Sequence, residues 1–341
     1  MLKSQEFPIP VISVGNLTVG GTGKTPHVEY LVRILKDDYR VALLSRGYKR
    51  KTRGYVLAGD QSTSRDIGDE PYQIKKKFPN ILVAVDKNRR RGIRRLLDLP
   101  IEKRPEVILL DDAYQHRYAI PSLSIVLTDI NRLIYEDYLL PAGRLREPTS
   151  NIHRANVVVV TKCPQQMKPI DYRIIRKRLD LYPYHSLFFS SWQYGNLQPV
   201  FGKHRSSNIS LDRLQKDHYS VLLLSGIANP KQLEEFIQEY ISPADTITYP
   251  DHYLFSKADI RKIEKRFACL PKERKIVITT EKDAARLVVL EKLLKDELKK
   301  QLYYLPIEAV FKLGKSEQFK QEIIEHVRTF RRNRIMDTRT Y

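Results

Sequence analysis

Residues 11–26 read V-I-S-V-G-N-L-T-V-G-G-T-G-K-T-P. The compact apolar run Val11–Val14 is a strand by composition. Beyond the glycines, Val28, Leu31, Val32 and Leu35 recur at helical spacing over Lys24–Leu35. Strand, glycine-rich loop and helix in this order make a phosphate-binding loop: backbone N–H groups wrap the anion and the helix points its positive end at it. The nucleotide contacts predicted are Thr18, Val19, Gly20, Gly21, Thr22, Gly23, Lys24 and Thr25. Lys24 reaches the outer phosphates and the Thr25 hydroxyl takes Mg²⁺. Thr18 stands where the usual pattern has its first glycine. A small residue serves there if its dihedrals are ordinary, so the loop reads as a variant. A helix cap with a chance G-K-T is the plainer alternative.

Such a loop needs an acidic partner after an apolar strand, and V-I-L-L-D-D at 107–112 supplies it. One of Asp111 and Asp112 holds Mg²⁺, through water, and the other orients it. Guanine readers carry N-K-x-D after a strand. Thr161-Lys162-Cys163-Pro164 lacks the final aspartate, which favours ATP. Partitioning-type ATPases place a lysine before the two glycines, where Val19 stands here.

Short apolar strands alternate with helical patterns along the rest of the chain. Val41–Leu44, Ile81–Val85, Val107–Leu110, Ile125–Thr128 and Val157–Val160 are apolar throughout, which predicts parallel sheets covered on both faces. The alternation breaks near Tyr184–Gly202, read as a β hairpin, and resumes with Val221–Leu224, a helix near Pro230–Tyr240 and Ile276–Thr279. The expected fold is α/β, with two αβα-type domains of mainly parallel strands. Its parts are a P-loop NTPase-like domain over 1–183, a two-stranded linker over 184–216, a smaller α/β domain over 217–330 and a frayed basic tail over 331–341.

The 341 residues carry 60 Lys and Arg against 40 Asp and Glu, a net charge of +20. Such a surface attracts nucleic acid, anionic membrane or phosphorylated substrate, and charge does not choose among them. With 42% apolar residues the chain is not disordered. Cys163 and Cys269 form neither a metal cluster nor a disulfide framework, which fits a reducing cytosol. The opening M-L-K-S-Q-E-F-P-I-P lacks the apolar core of a signal peptide, and no apolar run approaches the length of a membrane-spanning helix.

Taken together, the motifs resemble the tetraacyldisaccharide 4′-kinase family, the lipid A 4′-kinases of Gram-negative bacteria. The matching stretches are the loop, S-R-G-Y-K-R at 45–50, G-D-E-P at 68–71, L-D-D-A-Y-Q-H-R at 110–117, L-P-A-G-R-L-R-E-P at 140–148 and P-D-H-Y-L-F at 250–255. S-G-I-A-N-P at 225–230 and T-E-K-D at 280–283 fit the family's second half. The L-P-A-G-x-L-R-E-P pattern is the most specific. The resemblance implies two α/β domains with the active site in a cleft between them. It implies transfer of the ATP γ-phosphate, with Mg²⁺, to the 4′-hydroxyl of an acylated glucosamine disaccharide 1-phosphate. It also implies a peripheral place on the cytoplasmic side of the inner membrane, against an anionic surface and with no nucleic acid. A nucleic-acid-stimulated P-loop ATPase is the alternative that the charge suggests; no RNA or DNA module supports it.

By the same resemblance Asp86, which ends I-L-V-A-V, is the general base and His252 pairs with it across the cleft. Asp86 would otherwise cap the helix that follows, and His252 would be an ordinary loop histidine. Arg46, Arg144 and Arg146 are candidates for substrate or ATP phosphates, or else solvated surface. Gln115 and His116 orient water or substrate, or pack against the sheet. Glu147 binds the ribose or pairs with an arginine. The runs 87–95 and 49–53 read as solvated faces able to dock on anionic headgroups. Departures from the family are Ala113-Tyr114 in place of G-F and Lys87 in place of arginine. Family members also usually begin with about thirty more residues, so either docking relies on other surfaces here or the start is misassigned.

Overall fold

Val and Ile without polar alternation make strands that are buried on both faces, and helices must cover them. The computed structural model, which describes residues 4–202, 208–251, 253–271 and 273–337, has this organisation in two units. The first unit is Met1–Gln193 with Glu308–Tyr341, and the second is Tyr194–Ile307.

The first unit contributes β1 (Val11–Asn16), β2 (Val41–Ser45), β3 (Val56–Leu57), β4 (Leu82–Val85), β5 (Val107–Asp111), β6 (Leu123–Asp129), β7 (Val157–Thr161) and β8 (Ser186–Tyr194). The second holds β9 (Gln198–Pro199), β10 (Ser220–Ser225), β11 (Asp245–Thr248), β12 (Lys275–Thr280) and β13 (Leu302–Leu305), and the chain returns through β14 (Ile307–Phe311). The large sheet runs β14-β8-β7-β6-β1-β5-β2-β4-β3. Its middle is parallel, and at one edge β3 runs antiparallel to its neighbour β4. β1 lies between β5 and β6: the connection leaving β1 runs to one side of it, to β2, and the one leaving β5 crosses to the other, to β6. That switch point is where α/β sheets bind ligands, beyond the carboxyl ends of the strands. Val14 stands opposite Asp111 and Ser45 opposite Val85, which brings the ends of β1, β5, β2 and β4 to one edge.

The second sheet runs β11-β10-β12-β13-β9. Along β10, Val221 and Leu223 join one apolar cluster while Leu222 and Leu224 join another, the period-two signature of a sheet covered on both faces. The S-G-I-A-N-P and T-E-K-D motifs meet in this unit. Buried Asp283 accepts from Gly226 N–H (2.8 Å) and Thr280 Oγ1 (2.7 Å), and Arg286 bridges Asp283 Oδ1 (2.8 Å) to the Gly226 carbonyl (3.0 Å).

Two expectations change. Tyr184–Gly202 does not pair with itself as a hairpin: β8 extends the large sheet beside β7, β9 joins β13 in the other sheet, and Leu197 forms an isolated antiparallel bridge with Ile209. On its other side β8 neighbours β14, over a hundred residues later, and Lys312 N–H donates to the Phe189 carbonyl (2.8 Å). Nor do residues 331–337 form a frayed tail; 338–341 lie outside the described residues. One helix runs Ser316–Asp337, and Arg331 donates to Glu106 (2.9 Å). Phe319 on that helix is 2% exposed, stacked 4.1 Å from Phe311 and edge-on 5.1 Å from Phe188. Aromatic burial, invisible in local composition, therefore returns residues 308–337 to the first unit. Phe319→Ala should lower the stability of this unit by about 3–5 kcal/mol in urea denaturation, and a loss under about 1 kcal/mol would contradict this packing.

Candidate active site

The glycine-rich loop lies at the end of β1, the switch point of the large sheet. Gly20 and Gly23 take positive φ (116° and 86°), whereas Thr18 is not among the left-handed residues. Thr18 is buried and forms an isolated antiparallel bridge with Leu145. Val19 N–H donates to the Arg144 carbonyl (2.8 Å) and Arg146 N–H to the Leu17 carbonyl (2.7 Å). The L-P-A-G-R-L-R-E-P segment is thus zipped to the loop entrance, and the missing first glycine is replaced by an extended residue in a bridge. Thr22 is tied on both sides, by Asn16 Nδ2 to its hydroxyl (2.8 Å) and by Thr161 Oγ1 to its carbonyl (2.9 Å).

Behind the loop, sequence reasoning missed His27. Its Nδ1 lies 2.8 Å from the Gly23 carbonyl and its Nε2 2.9 Å from Ser190 Oγ. Burial pushes its pKa down to about 4, against the bond to Gly23.

Two predicted residues converge on Asp112, and a third, Gln115, joins them through Arg146. Lys24 Nζ is 3.5 Å from Oδ1, and Arg146 lies 3.3 Å from Oδ1 and 3.2 Å from Gln115 Oε1. Gln115 Nε2 donates to the Asn16 carbonyl (2.9 Å), closing the ring back to β1. Asp112 itself is left-handed (φ 46°), a conformation that costs a non-glycine residue energy and persists only where the surroundings enforce it. Burial works against its charge, but Lys24 and Arg146 outweigh burial and hold it below the usual carboxylate range. Its neighbour behaves oppositely. Asp111 is buried, with Oδ2 accepting from Ser45 Oγ (3.0 Å) and Oδ1 without a hydrogen-bond partner. Burial first, then the charges of Glu70 and Asp112, push its pKa up to about 7. A buried carboxylate oxygen lacking a donor, repelled by two carboxylates, is chemically suited to a divalent cation. Thr25, Asp111 and Asp112 therefore fit Mg²⁺, which takes one or two carboxylates and completes its shell with phosphate and water.

Asp86 is fully buried at the end of β4 and gripped by Arg91: Nε to Oδ2 and Nη2 to Oδ1, both 2.8 Å. It also accepts from Asn88 N–H (2.9 Å), while Asn88 is the residue that caps the following helix. Arg89 is buried as well and donates to the carbonyls of Asp86 (2.5 Å) and Asp111 (2.9 Å). The run 87–95 is therefore only partly a solvated face: Arg89 and Arg91 bind the strand ends. In the run 49–53, Arg50 likewise turns inward to the carbonyls of Val85 (3.4 Å) and Gly54.

Among the remaining candidates, Arg46 and Arg144 are exposed. Glu147 pairs with Arg154 (2.5 Å) and accepts from Asn151 (2.7 Å). Burial, with Arg89 and Arg46 adding to it and Asp112 opposing, holds His116 below the usual histidine range. His252 lies outside the described residues.

Comparison with known proteins identifies the family. A family model described as tetraacyldisaccharide-1-P 4′-kinase matches residues 1–328. Relatives named tetraacyldisaccharide 4′-kinase include one from Bacteroides thetaiotaomicron, 52% identical and matching 97% of this chain and 88% of its own. Another, from Parabacteroides distasonis, is 53% identical over 96% of this chain and 88% of its own. A crystal structure of Aquifex aeolicus LpxK in complex with ATP superposes with a TM-score of 0.72 at 30% identity, covering 96% of this chain and 91% of that one.

The His27 environment has a pH consequence. Its folded pKa lies below the ordinary value of 6.5, so between about 6.5 and 4 the unfolded chain binds more protons. Its contribution to stability is complete above that window and is lost as pH falls through it. Denaturant midpoints at pH 7 and pH 5 should therefore differ more for wild type than for His27→Gln; equal differences would refute the assignment.

Proposed function

We propose a role for each residue of this site on one premise: the chain belongs to the tetraacyldisaccharide-1-P 4′-kinase family. It is an ATP-dependent kinase of lipid A biosynthesis that phosphorylates the 4′-hydroxyl of tetraacyldisaccharide 1-phosphate. The observation that carries the residue-level reading is the meeting of Lys24 and Arg146 on Asp112 beside the loop, with Gln115 holding Arg146.

Phosphoryl transfer requires positioning and charge neutralisation more than covalent chemistry. The loop from Thr18 to Thr25 cradles the ATP phosphates, and Lys24 exchanges Asp112 for the outer ones. Arg146, already beside Asp112, balances charge on the transferring group. Mg²⁺ bound by Thr25 and the Asp111–Asp112 pair supplies further neutralisation. Asp86 accepts the proton of the 4′-hydroxyl at Oδ2 as that oxygen bonds to the γ-phosphorus and ADP leaves. Arg91, half-exposed, must turn aside to free that oxygen. His252 assists Asp86, on the strength of the P-D-H motif. Arg46, Arg144 and His116 face the acceptor's phosphate and sugar, and Glu147 positions Arg154.

The acceptor is an amphiphile, and we place the enzyme peripherally on the cytoplasmic side of the inner membrane. Among the described residues no helix is long and apolar enough to cross a membrane. Exposed basic residues of 87–95 and 49–53 would meet anionic headgroups, and we assign no nucleic-acid partner. Pelleting with liposomes should increase with anionic lipid and fall with salt; binding indifferent to both would remove this docking mode.

The reaction is tested by mass spectrometry of a tetraacylated disaccharide 1-phosphate incubated with ATP·Mg²⁺ in detergent, where one added phosphate on the distal sugar is expected. Lys24→Ala and Asp112→Asn should each lower kcat by ~10²-fold or more. Asp86→Asn should lower kcat by a similar factor with ADP affinity little changed. An undiminished kcat in Asp86→Asn would exclude it as the base.

A further inference from the structure

Gly23, the residue before Lys24, is held from two sides by groups that the reaction itself does not use. Its φ of 86° and ψ of 27° lie in the left-handed region. A Cβ built there would meet the Trp192 ring at 2.3 Å, so both conformation and space demand glycine. On the other side stands His27, 3% exposed. A carbonyl only accepts, so the nitrogen facing Gly23, Nδ1, carries the ring hydrogen. Nε2 of the neutral ring then accepts from the Ser190 hydroxyl. Ser190 is fully buried, and Trp192 lies two residues further along β8, hence on the same face of the strand. The His27 and Trp192 rings are themselves edge-on at 5.8 Å. One strand thus supplies both halves of a clamp on a single glycine.

A trans peptide is planar, and its C=O and the following N–H point in opposite directions. Fixing the Gly23 oxygen toward His27 therefore fixes the Lys24 N–H away from it. We propose that His27 is a positioning residue for nucleotide binding: it sets the plane of the Gly23–Lys24 peptide, aiming the Lys24 N–H at phosphate. Ser190 acts one step further back, by holding the His27 tautomer. Trp192 keeps the glycine from moving off the other side. The loop is then shaped before its ligand arrives, and little ordering is left for binding to supply. This rests on the reading of the loop as the ATP site.

The two ring nitrogens can be separated by side-chain length. In His27→Asn the amide N–H reaches the Nδ1 position and keeps the bond to Gly23. In His27→Gln the amide reaches the Nε2 position and keeps the bond to Ser190. Calorimetric titration with Mg·ADP should find His27→Asn within about threefold of wild type, and His27→Gln and His27→Ala weakened by about tenfold or more. A role in packing alone would affect Asn and Gln variants alike, and equal affinities would overturn the proposal. Ser190→Ala leaves the ring in place and releases its tautomer. Affinity should fall several-fold, and unchanged affinity would overturn the proposal even if no His27 variant folds. Emission from Trp192, the chain's one tryptophan, gives a second readout of loop occupancy. Failure of the wild type itself to bind Mg·ADP would instead count against the loop as an ATP site.

Discussion

The two backbone hydrogen bonds that zip Leu17–Val19 to Arg144–Arg146 hold the site together. They replace the turn that a first glycine would have made, so the loop entrance is shaped by another segment of chain. The same pairing carries Arg146 to Asp112, and Asp112 in turn receives Lys24 from the opposite end of the loop. A backbone interaction therefore decides where the side-chain charges fall. The L-P-A-G-R-L-R-E-P segment can keep this register because Asp137 gathers the N–H groups of Tyr138 (2.9 Å) and Arg144 (3.0 Å).

Charge in this molecule is organised at short range despite the net excess of base. Asp86 is enclosed by Arg91, Arg89 and Arg50, and Asp112 by Lys24 and Arg146. Asp111, between them in the fold, receives only a hydroxyl. Asp86 and Asp112 are thus each matched by cations, and Lys24 and Arg146 hold Asp112 below the usual carboxylate range, while burial and neighbouring carboxylates push Asp111 up. That contrast marks where a dication relieves repulsion and where a carboxylate is already balanced, a pattern in which adjacent groups of one chemical type take different tasks.

What could be read from the sequence was what local chemistry determines. The strands over Val11–Val14, Val107–Leu110 and Val157–Val160 and the helix over Lys24–Leu35 follow from apolar run and period, and the loop from its glycines. Lys24, Asp112, Gln115 and Arg146 stand in motifs that mark each of them without showing that they meet. What escaped depends on distant neighbours. Arg89 and Arg91 sit in a run of like charge that composition assigns to solvent, yet two strand ends bury Arg89 and draw the half-exposed Arg91 onto Asp86. His27 looked like one more residue of a helix because its partners, Gly23 and Ser190, are separated by most of the first unit. The closing helix looked like a tail because the aromatic rings that bury Phe319 lie on β14 and β8.

The first unit is discontinuous in sequence, with the whole of the second inserted between β8 and β14. A ribosome delivers the chain from one end, so the order of synthesis and the order of completion differ. All strands of the inserted unit have been made before β14 exists to cover β8. During that interval the apolar flank of β8, including Phe188, is an open sheet edge of the kind that recruits other chains. Residues 308–337 therefore close the first unit: a ribosome that stops before them releases a second unit attached to an unclosed first one.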